Sequence, residues 1–139
     1  MSASFIVDCS LTMAWLFKDE ATLQSTELLE RFDAESALVP ALWFPEVTNV
    51  LAIAERKNRI TQNESEDFVT QLSQLDIEVD TEPSERAFTQ LLPLCRAHQL
   101  TSYDTVYLEL AIRRQLPLAT LDEPLRKVAL GLGIKLLGK

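Results

Sequence analysis

The chain alternates short apolar runs with longer segments in which apolar residues recur every three or four positions. The short runs predict buried β-strands at 4–7, 37–40, 77–80, 116–121 and 133–137. The longer segments predict amphipathic helices at 10–17, 21–32, 45–58, 61–75, from Pro83 to about His98, 101–115 and 123–132, with Ser10 as the cap of the first. Strands that alternate with helices indicate an α/β fold, with a parallel sheet covered on both faces.

The length favours one folded unit. A chain of 139 residues suits a single domain, so we expect residues 1–139 to share one core. No apolar run approaches the roughly 18 to 20 residues that span a bilayer, and no secretion signal is evident. Cys9 and Cys95 stand apart from any other cysteine or histidine cluster. We therefore expect reduced thiols in a cytoplasmic protein and no zinc site.

The charge is unbalanced towards acid. The 21 acidic residues outnumber the 13 lysines and arginines, which gives a formal net charge of −8. Such a surface repels nucleic acids unless metal ions or local basic patches offset it. Bases do cluster at 55–59, 113–114 and 126–127, but each cluster is explained as a solvated helix end.

Four acids lie either at the edge of the predicted sheet where ligands bind or close to the predicted core. They are Asp8, Glu46, Asp104 and Asp122. Asp8 ends the first predicted strand and Asp122 follows the fourth, and ligands of parallel sheets bind beyond the carboxyl ends of strands. Each acid also has a simpler explanation at a helix start, where carboxylates cap amides or oppose the helix dipole. Taken singly, the capping explanation is the stronger one.

Helical spacing favours an inward orientation for two of these acids. Asp104 shares a face with apolar positions three, four and seven residues later, which are Tyr107, Leu108 and Ala111. The opposite face, predicted to meet solvent, consists of Thr105, Glu109 and Arg113. Glu46 likewise adjoins the apolar stripe of its own helix. We therefore expect all four acids to lean towards a shared region.

Convergence of these acids has an energetic consequence. Two like charges about 4 Å apart repel by roughly 4 kcal/mol at an effective dielectric constant near 20. Either some carboxylates are protonated or a divalent cation lies among them. Oxygen ligands without cysteine or histidine select a hard cation such as Mg²⁺ or Mn²⁺. We predict that a metal ion compensates the charge of Asp8.

The sequence around each acid resembles a known family. The segments "FIVDCSLTMAWLF", "PEVTNVL", "TSYDTVYLELA" and "LATLDEPLRKVA" resemble, in order and spacing, the acidic blocks of PIN-domain ribonucleases. More narrowly, they resemble the VapC toxins of bacterial type II toxin–antitoxin pairs. The resemblance spans essentially the whole chain. It implies a three-layer α/β/α sandwich with a central parallel sheet of about five strands.

The resemblance also implies an activity and a set of site residues. It implies a metal-dependent endoribonuclease, usually a homodimer, that a cognate antitoxin inhibits. Its catalytic and metal-binding acids correspond to Asp8, Glu46, Asp104 and Asp122. Ser10 and Thr120 match supporting polar positions. Carboxylate-bound Mg²⁺ or Mn²⁺ would bind the scissile phosphate of RNA and activate a water.

A few further residues bear on function. Asn49 follows Glu46 by about 60° around its helix, so it is either a supporting residue or an exposed polar one. His98 is the only histidine, which excludes a paired-histidine ribonuclease mechanism. Aromatic residues at 15, 17, 43 and 44 are core residues by default. By family analogy, some could instead receive an antitoxin helix.

Two other function classes stay open. The first is a non-catalytic module of the same fold that binds a partner or a metal. The second is a phosphatase-like phosphotransfer enzyme, because "DCSLT" faintly resembles a D-x-D-x-T loop. Ser10 there replaces the second acid that such a phosphatase uses as its general acid. The three glycines (131, 133 and 138) do not form a P-loop or a dinucleotide site.

Overall fold

The computed structural model describes residues 2–82, 85 and 87–139. Its strands are β1 (Phe5–Val7), β2 (Ala37–Pro40), β3 (Ile77–Asp80), β4 (Leu118–Ala119) and β5 (Leu136–Leu137). Its α-helices are α1 (Cys9–Ala14), α2 (Leu23–Glu30), α3 (Trp43–Arg56), α4 (Gln62–Ser73), α5 (Leu92–His98), α6 (Ser102–Arg114) and α7 (Glu123–Gly131). A 3₁₀ turn (Arg31–Asp33) extends α2, and a π-helical turn (Ala87–Leu91) leads into α5. Pro83, the predicted start of a helix, lies outside the described residues.

The five strands form one parallel sheet in the order β3-β2-β1-β4-β5. This confirms the predicted α/β class and strand number. The chain builds outward from β1 to β3 and then crosses to β4 on the other side of β1. The direction of winding therefore reverses between β1 and β4, where such sheets open a crevice at their carboxyl ends.

Alternate strand residues feed two separate cores. Phe5, Val7 and Val39 belong to the cluster that packs under α1, α2, α3 and α4. Ile6 and Leu38 point to the opposite face, where the cluster includes residues of α6 and α7. The molecule is thus a three-layer α/β/α sandwich. Within the described residues, no helix is both long and apolar enough to span a membrane.

Several predicted boundaries differ from the structure, and the strand predicted at 133–137 covers only Leu136–Leu137. Helix α1 begins at Cys9, and its cap is Asp8 rather than Ser10, because the amide of Leu11 donates to Asp8 Oδ1 at 2.9 Å. The strand predicted at 116–121 is only two residues long. Just beyond Ala119, the Thr120 hydroxyl donates to Asp8 and the Leu121 amide donates to Ser10.

The predicted solvent face of α6 is also wrong. Thr105 is fully buried, and Arg113 and Glu109 are half-buried. The helix packs on the sheet and also against α5 and the π-helical turn, so two of its faces are covered. Arg113 is fixed there by a bidentate ion pair to Asp80, with nitrogen–oxygen distances of 3.1 and 2.8 Å.

Candidate active site

The four predicted acids line one open cavity of about 280 Å³. They arrive there from the ends of β1 and β4 and from the first turns of α3 and α6. The other lining residues are Cys9, Ser10, Met13, Glu20, Val50 and Tyr107. Glu20 is a fifth acid that the sequence did not single out, and Arg59 donates to its carboxylate at 2.8 Å.

Asp8 is the most deeply buried of the four acids, with 4% of its surface exposed. Three groups donate to its carboxylate: the Leu11 amide, the Ser10 hydroxyl at 2.8 Å and the Thr120 hydroxyl at 2.5 Å. Burial nevertheless raises the pKa of Asp8 to about 6, while the bond from Thr120 opposes that rise. Protein donors therefore compensate this charge only in part.

Ser10 and Thr120 connect the ends of β1 and β4. The Leu121 amide donates to Ser10 Oγ at 2.9 Å, and the Asp122 amide donates to Thr120 Oγ1 at 3.0 Å. Arg126 Nη1 donates to the Thr120 carbonyl at 2.7 Å and so fixes the backbone of this turn. Both predicted supporting residues thus contact Asp8 directly.

Asp122 combines the two roles that the sequence left in competition. Its Oδ2 accepts from the Leu125 amide at 2.9 Å, which makes it the cap of α7. The same side chain lines the cavity. Capping and convergence are therefore compatible, because helices that start at the sheet edge direct their capping carboxylates into the same crevice.

Glu46 and Tyr107 form the most distinctive contact of the site. The Tyr107 hydroxyl donates to Glu46 Oε1 at 2.5 Å and joins the first turn of α3 to α6. Burial raises the pKa of Glu46, the bond from Tyr107 lowers it, and the charge of Asp104 raises it. Burial and the bond to Glu46 both raise the pKa of Tyr107. Spacing had placed Tyr107 on the face of Asp104 but indicated no role for it.

Asp104 lies in the first turn of α6, whose cap is Thr101. Burial raises the pKa of Asp104, the charge of Asp122 raises it further, and a hydrogen bond from Thr101 lowers it. Asn49 is exposed and is not among the residues that line the cavity.

Pairwise repulsion connects all four acids. The charge of Asp122 raises the pKa values of Asp8 and Asp104, and the charge of Asp104 raises that of Glu46. No lysine or arginine is among the residues that line the cavity. An excess of carboxylate without a lining cation is the donor chemistry that suits a hard divalent ion.

The carboxylates do not form a finished coordination sphere. Across residues 2–82, 85 and 87–139, no three His, Cys, Asp or Glu side chains are arranged so that they could hold a metal ion. The carboxylate oxygens are thus ligands of the kind that suit a metal ion. To bind one ion together, however, the side chains would have to move closer to one another. Burial raises the pKa of the Cys9 thiol, which lies beside Asp8, to about 12.

Comparisons with known proteins agree with this fold. A family model described as PIN domain matches residues 5–130. The fold is similar to the crystal structure of PAE2754 from Pyrobaculum aerophilum, with a TM-score of 0.64 and 19% sequence identity. That alignment covers 91% of this chain and 86% of the other. A comparison with curated proteins gives no match.

Proposed function

Because the chain belongs to the PIN domain family, we propose that it is a metal-dependent endoribonuclease that acts as the toxin of a toxin–antitoxin pair. PIN domains are generally metal-dependent nucleases. The observation that supports the proposal is the single cavity lined by Asp8, Glu46, Asp104 and Asp122, which lie on four separate elements. We also propose that residues 1–139 form one nuclease domain and that the protein is cytoplasmic.

The same four acids are proposed to hold Mg²⁺ or Mn²⁺. When bound, such an ion stabilises charge on a phosphoryl group and lowers the pKa of a coordinated water. The chain's own contribution is to place the carboxylates. Ser10 and Thr120 orient Asp8, Leu125 orients Asp122 through its amide, and Asp104 stands on the first turn of α6.

The surface supports the proposed partners. The net charge of −8 suits a basic antitoxin segment and disfavours RNA binding unless cations offset the acidic cavity. An apolar groove of about 320 Å³ lies between α3 and α4 and is lined by residues that include Trp43, Phe44 and Val69. Phe44 is 47% exposed, whereas Trp43 is buried and donates to Thr12 Oγ1 at 2.9 Å. We propose that this groove receives an antitoxin helix and that the toxin is a homodimer.

One observation favours a second candidate function, that of a non-catalytic binding module. No three acids are arranged to hold a metal ion in the described part of the chain. A non-catalytic member of the fold, which binds a partner without cleaving RNA, would need no such arrangement. The two functions differ in whether metal ions bind and whether RNA is cut.

The test is cleavage of RNA by purified protein. After EDTA treatment, the chain is incubated with structured RNAs, with or without Mn²⁺ or Mg²⁺, and the new ends are sequenced. We expect fragments with 5′-phosphates only when metal is added. Asp104→Asn should abolish cleavage, and Asp67→Asn, which changes an exposed acid on α4, should not. Intact RNA with the unmodified chain would support the non-catalytic candidate.

The toxin role is tested separately in cells. Induction of the chain should arrest growth, and so should Asp67→Asn, whereas Asp104→Asn should leave growth unchanged. Cleavage in the tube without growth arrest would contradict the toxin role and leave the nuclease proposal standing. Growth arrest by Asp104→Asn would show that toxicity does not depend on the acidic cavity.

A further inference from the structure

Tyr107 lines the cavity, but neither the sequence pattern nor the family resemblance gives this residue a role. We propose that Tyr107 is a positioning residue: its hydroxyl holds Oε1 of Glu46 and so fixes at the cavity a carboxylate that would serve as a metal ligand. This inference rests on the proposed metal-dependent function. It concerns how the helix-borne carboxylate is fixed before the metal arrives.

The first support is the rigidity of the anchor. Tyr107 is 2% exposed, and its ring belongs to the buried cluster that packs α6 and α7 on the sheet. A ring packed in the core moves less than a half-buried side chain, so the hydroxyl is the more fixed of the two partners at the wall of the cavity. Glu46 is half-buried and has a long side chain with several rotamers. The bond therefore restricts Glu46 more than it restricts Tyr107.

The second support is the parallel with Asp8. Thr120 is fully buried and donates to Asp8 Oδ2 at 2.5 Å, just as Tyr107 donates to Glu46 Oε1 at 2.5 Å. Two buried hydroxyls thus each hold one oxygen of one carboxylate in the same cavity. Groups that hydrogen-bond to metal-binding side chains orient them, and their loss typically costs 10–100-fold in metal affinity or activity.

The third support is the geometry of α6. Asp104 and Tyr107 are three residues apart on one face, and both line the cavity. One helix therefore places one carboxylate directly and a second one through a hydroxyl. Docking of α6 on the sheet sets the positions of both, although Glu46 itself is 61 residues away from Tyr107 in the sequence.

A purely structural role is the alternative, because a buried tyrosine hydroxyl usually finds a partner. In that case loss of the hydroxyl would lower stability without a specific effect on metal binding. A positioning role predicts the reverse emphasis. The metal affinity, measured apart from catalysis, distinguishes the two roles.

The main experiment compares the chain's two tyrosines. Mn²⁺ binding is measured by isothermal titration calorimetry for the unmodified chain, Tyr107→Phe and Tyr103→Phe. Tyr103 is on the same helix and is 60% exposed, so it is a matched control. We expect Tyr107→Phe to weaken Mn²⁺ binding roughly 10–100-fold, and Tyr103→Phe to leave it unchanged. Equal or tighter binding by Tyr107→Phe would overturn the inference.

A double-mutant cycle tests whether Tyr107 acts through Glu46. In a Glu46→Gln background, Tyr107→Phe should cause no further loss of Mn²⁺ affinity. A full additional loss would show that Tyr107 acts on something else and would overturn the inference. If the unmodified chain itself binds no Mn²⁺, both the metal-dependent function and this inference fail. If it binds Mn²⁺ and only the Tyr107 effect is missing, the proposed function stands.

A further measurement leaves the Tyr107–Glu46 pair intact. In Tyr103→Phe, Tyr107 is the only tyrosine, so a ¹³Cζ-tyrosine label gives a single NMR signal. Diamagnetic Mg²⁺ should shift this signal as Glu46 takes a cation, and Glu46→Gln should abolish the shift. A signal that stays fixed at saturating Mg²⁺ would overturn the inference even if Tyr107→Phe failed to fold.

Discussion

The two halves of the cavity are fixed in different ways. The strand-end half, formed by Asp8, Ser10, Thr120 and Asp122, follows β1 and β4 and is joined by hydrogen bonds to four backbone amides. The helix half, formed by Glu46, Asp104 and Tyr107, depends on one side-chain bond between α3 and α6. The pairing of β1 with β4 and the hydrogen bonds between the turns that follow them set the first half, whereas the docking of two helices sets the second. Substitutions in the two halves should therefore have different consequences.

The largest expected effect follows from removing the hydroxyl at the centre of the strand-end half. Thr120→Val removes a donor to Asp8 and an acceptor for the Asp122 amide while keeping the side-chain shape. We expect RNA cleavage to fall roughly 10–100-fold, and the free energy of unfolding to fall by about 1–3 kcal/mol because buried partners are left unpaired. Cleavage kinetics and urea denaturation measure the two effects.

Thr120→Ser is the matched control, because it keeps the hydroxyl. It should retain most of the cleavage activity and most of the stability. If Thr120→Val and Thr120→Ser behaved alike, the hydroxyl would not be what holds this half together, and the contrast with the helix half would lose its basis.

Much of the strand-end half could be predicted from the sequence, because its two acids follow apolar runs that predict neighbouring strands. An apolar run that stops at Asp8, and a second one that stops before Asp122, predicted strand ends at one edge of the sheet. The family pattern alone indicated that Ser10 and Thr120 support the site, whereas their contacts with Asp8 come from the structure. The cap of α1 was the exception, because Asp8 and Ser10 are both good capping residues and lie only two positions apart.

The helix half was less predictable, because it depends on tertiary contacts. Helical spacing placed Asp104 and Tyr107 on one face, but it could not show that Glu46 lies within reach of the tyrosine. The same limitation explains the error at Thr105. A helical wheel assumes one buried face, whereas α6 is covered by the sheet and by α5. Glu20 was missed because its place at the cavity depends on the loop after α1.

The next effect concerns pH and the unequal burial of the two halves. Burial raises the pKa of Asp8 to about 6 from 3.8, so the folded state binds this proton more tightly than the unfolded state. The contribution of protonated Asp8 to the free energy of unfolding is complete below about pH 4 and is lost as the pH rises through 6. At pH 7.5 without metal, Asp8→Asn should therefore unfold at higher urea, with a gain of about 2–3 kcal/mol.

The comparison at pH 4 is the internal control for Asp8→Asn. There the two proteins should differ little, because Asp8 is largely protonated in the unmodified chain. Glu46→Gln should show a smaller gain in the free energy of unfolding at pH 7.5, because Glu46 is only half-buried. In some orientations of the new amide, the Tyr107 hydroxyl would also lose its acceptor oxygen. Equal gains for the two variants would show that the halves do not differ in burial as described.

The smallest expected effect is in the helix half, at the cap of α6. Thr101 Oγ1 accepts from the Asp104 amide at 3.2 Å in an exposed position, so Thr101→Ala should cost about 0.5–1 kcal/mol of stability. Thr101→Ser should cost almost nothing. RNA cleavage should stay within about twofold of the unmodified chain. Leu108 and Ala111 keep α6 docked, because they are buried in the core that packs α6 and α7 on the sheet. If Thr101→Ala instead reduced cleavage as much as Thr120→Val, the cap and not the docking of α6 would place Asp104. The position of Asp104 would then depend on a hydrogen bond at the start of its own helix rather than on the docking of two helices.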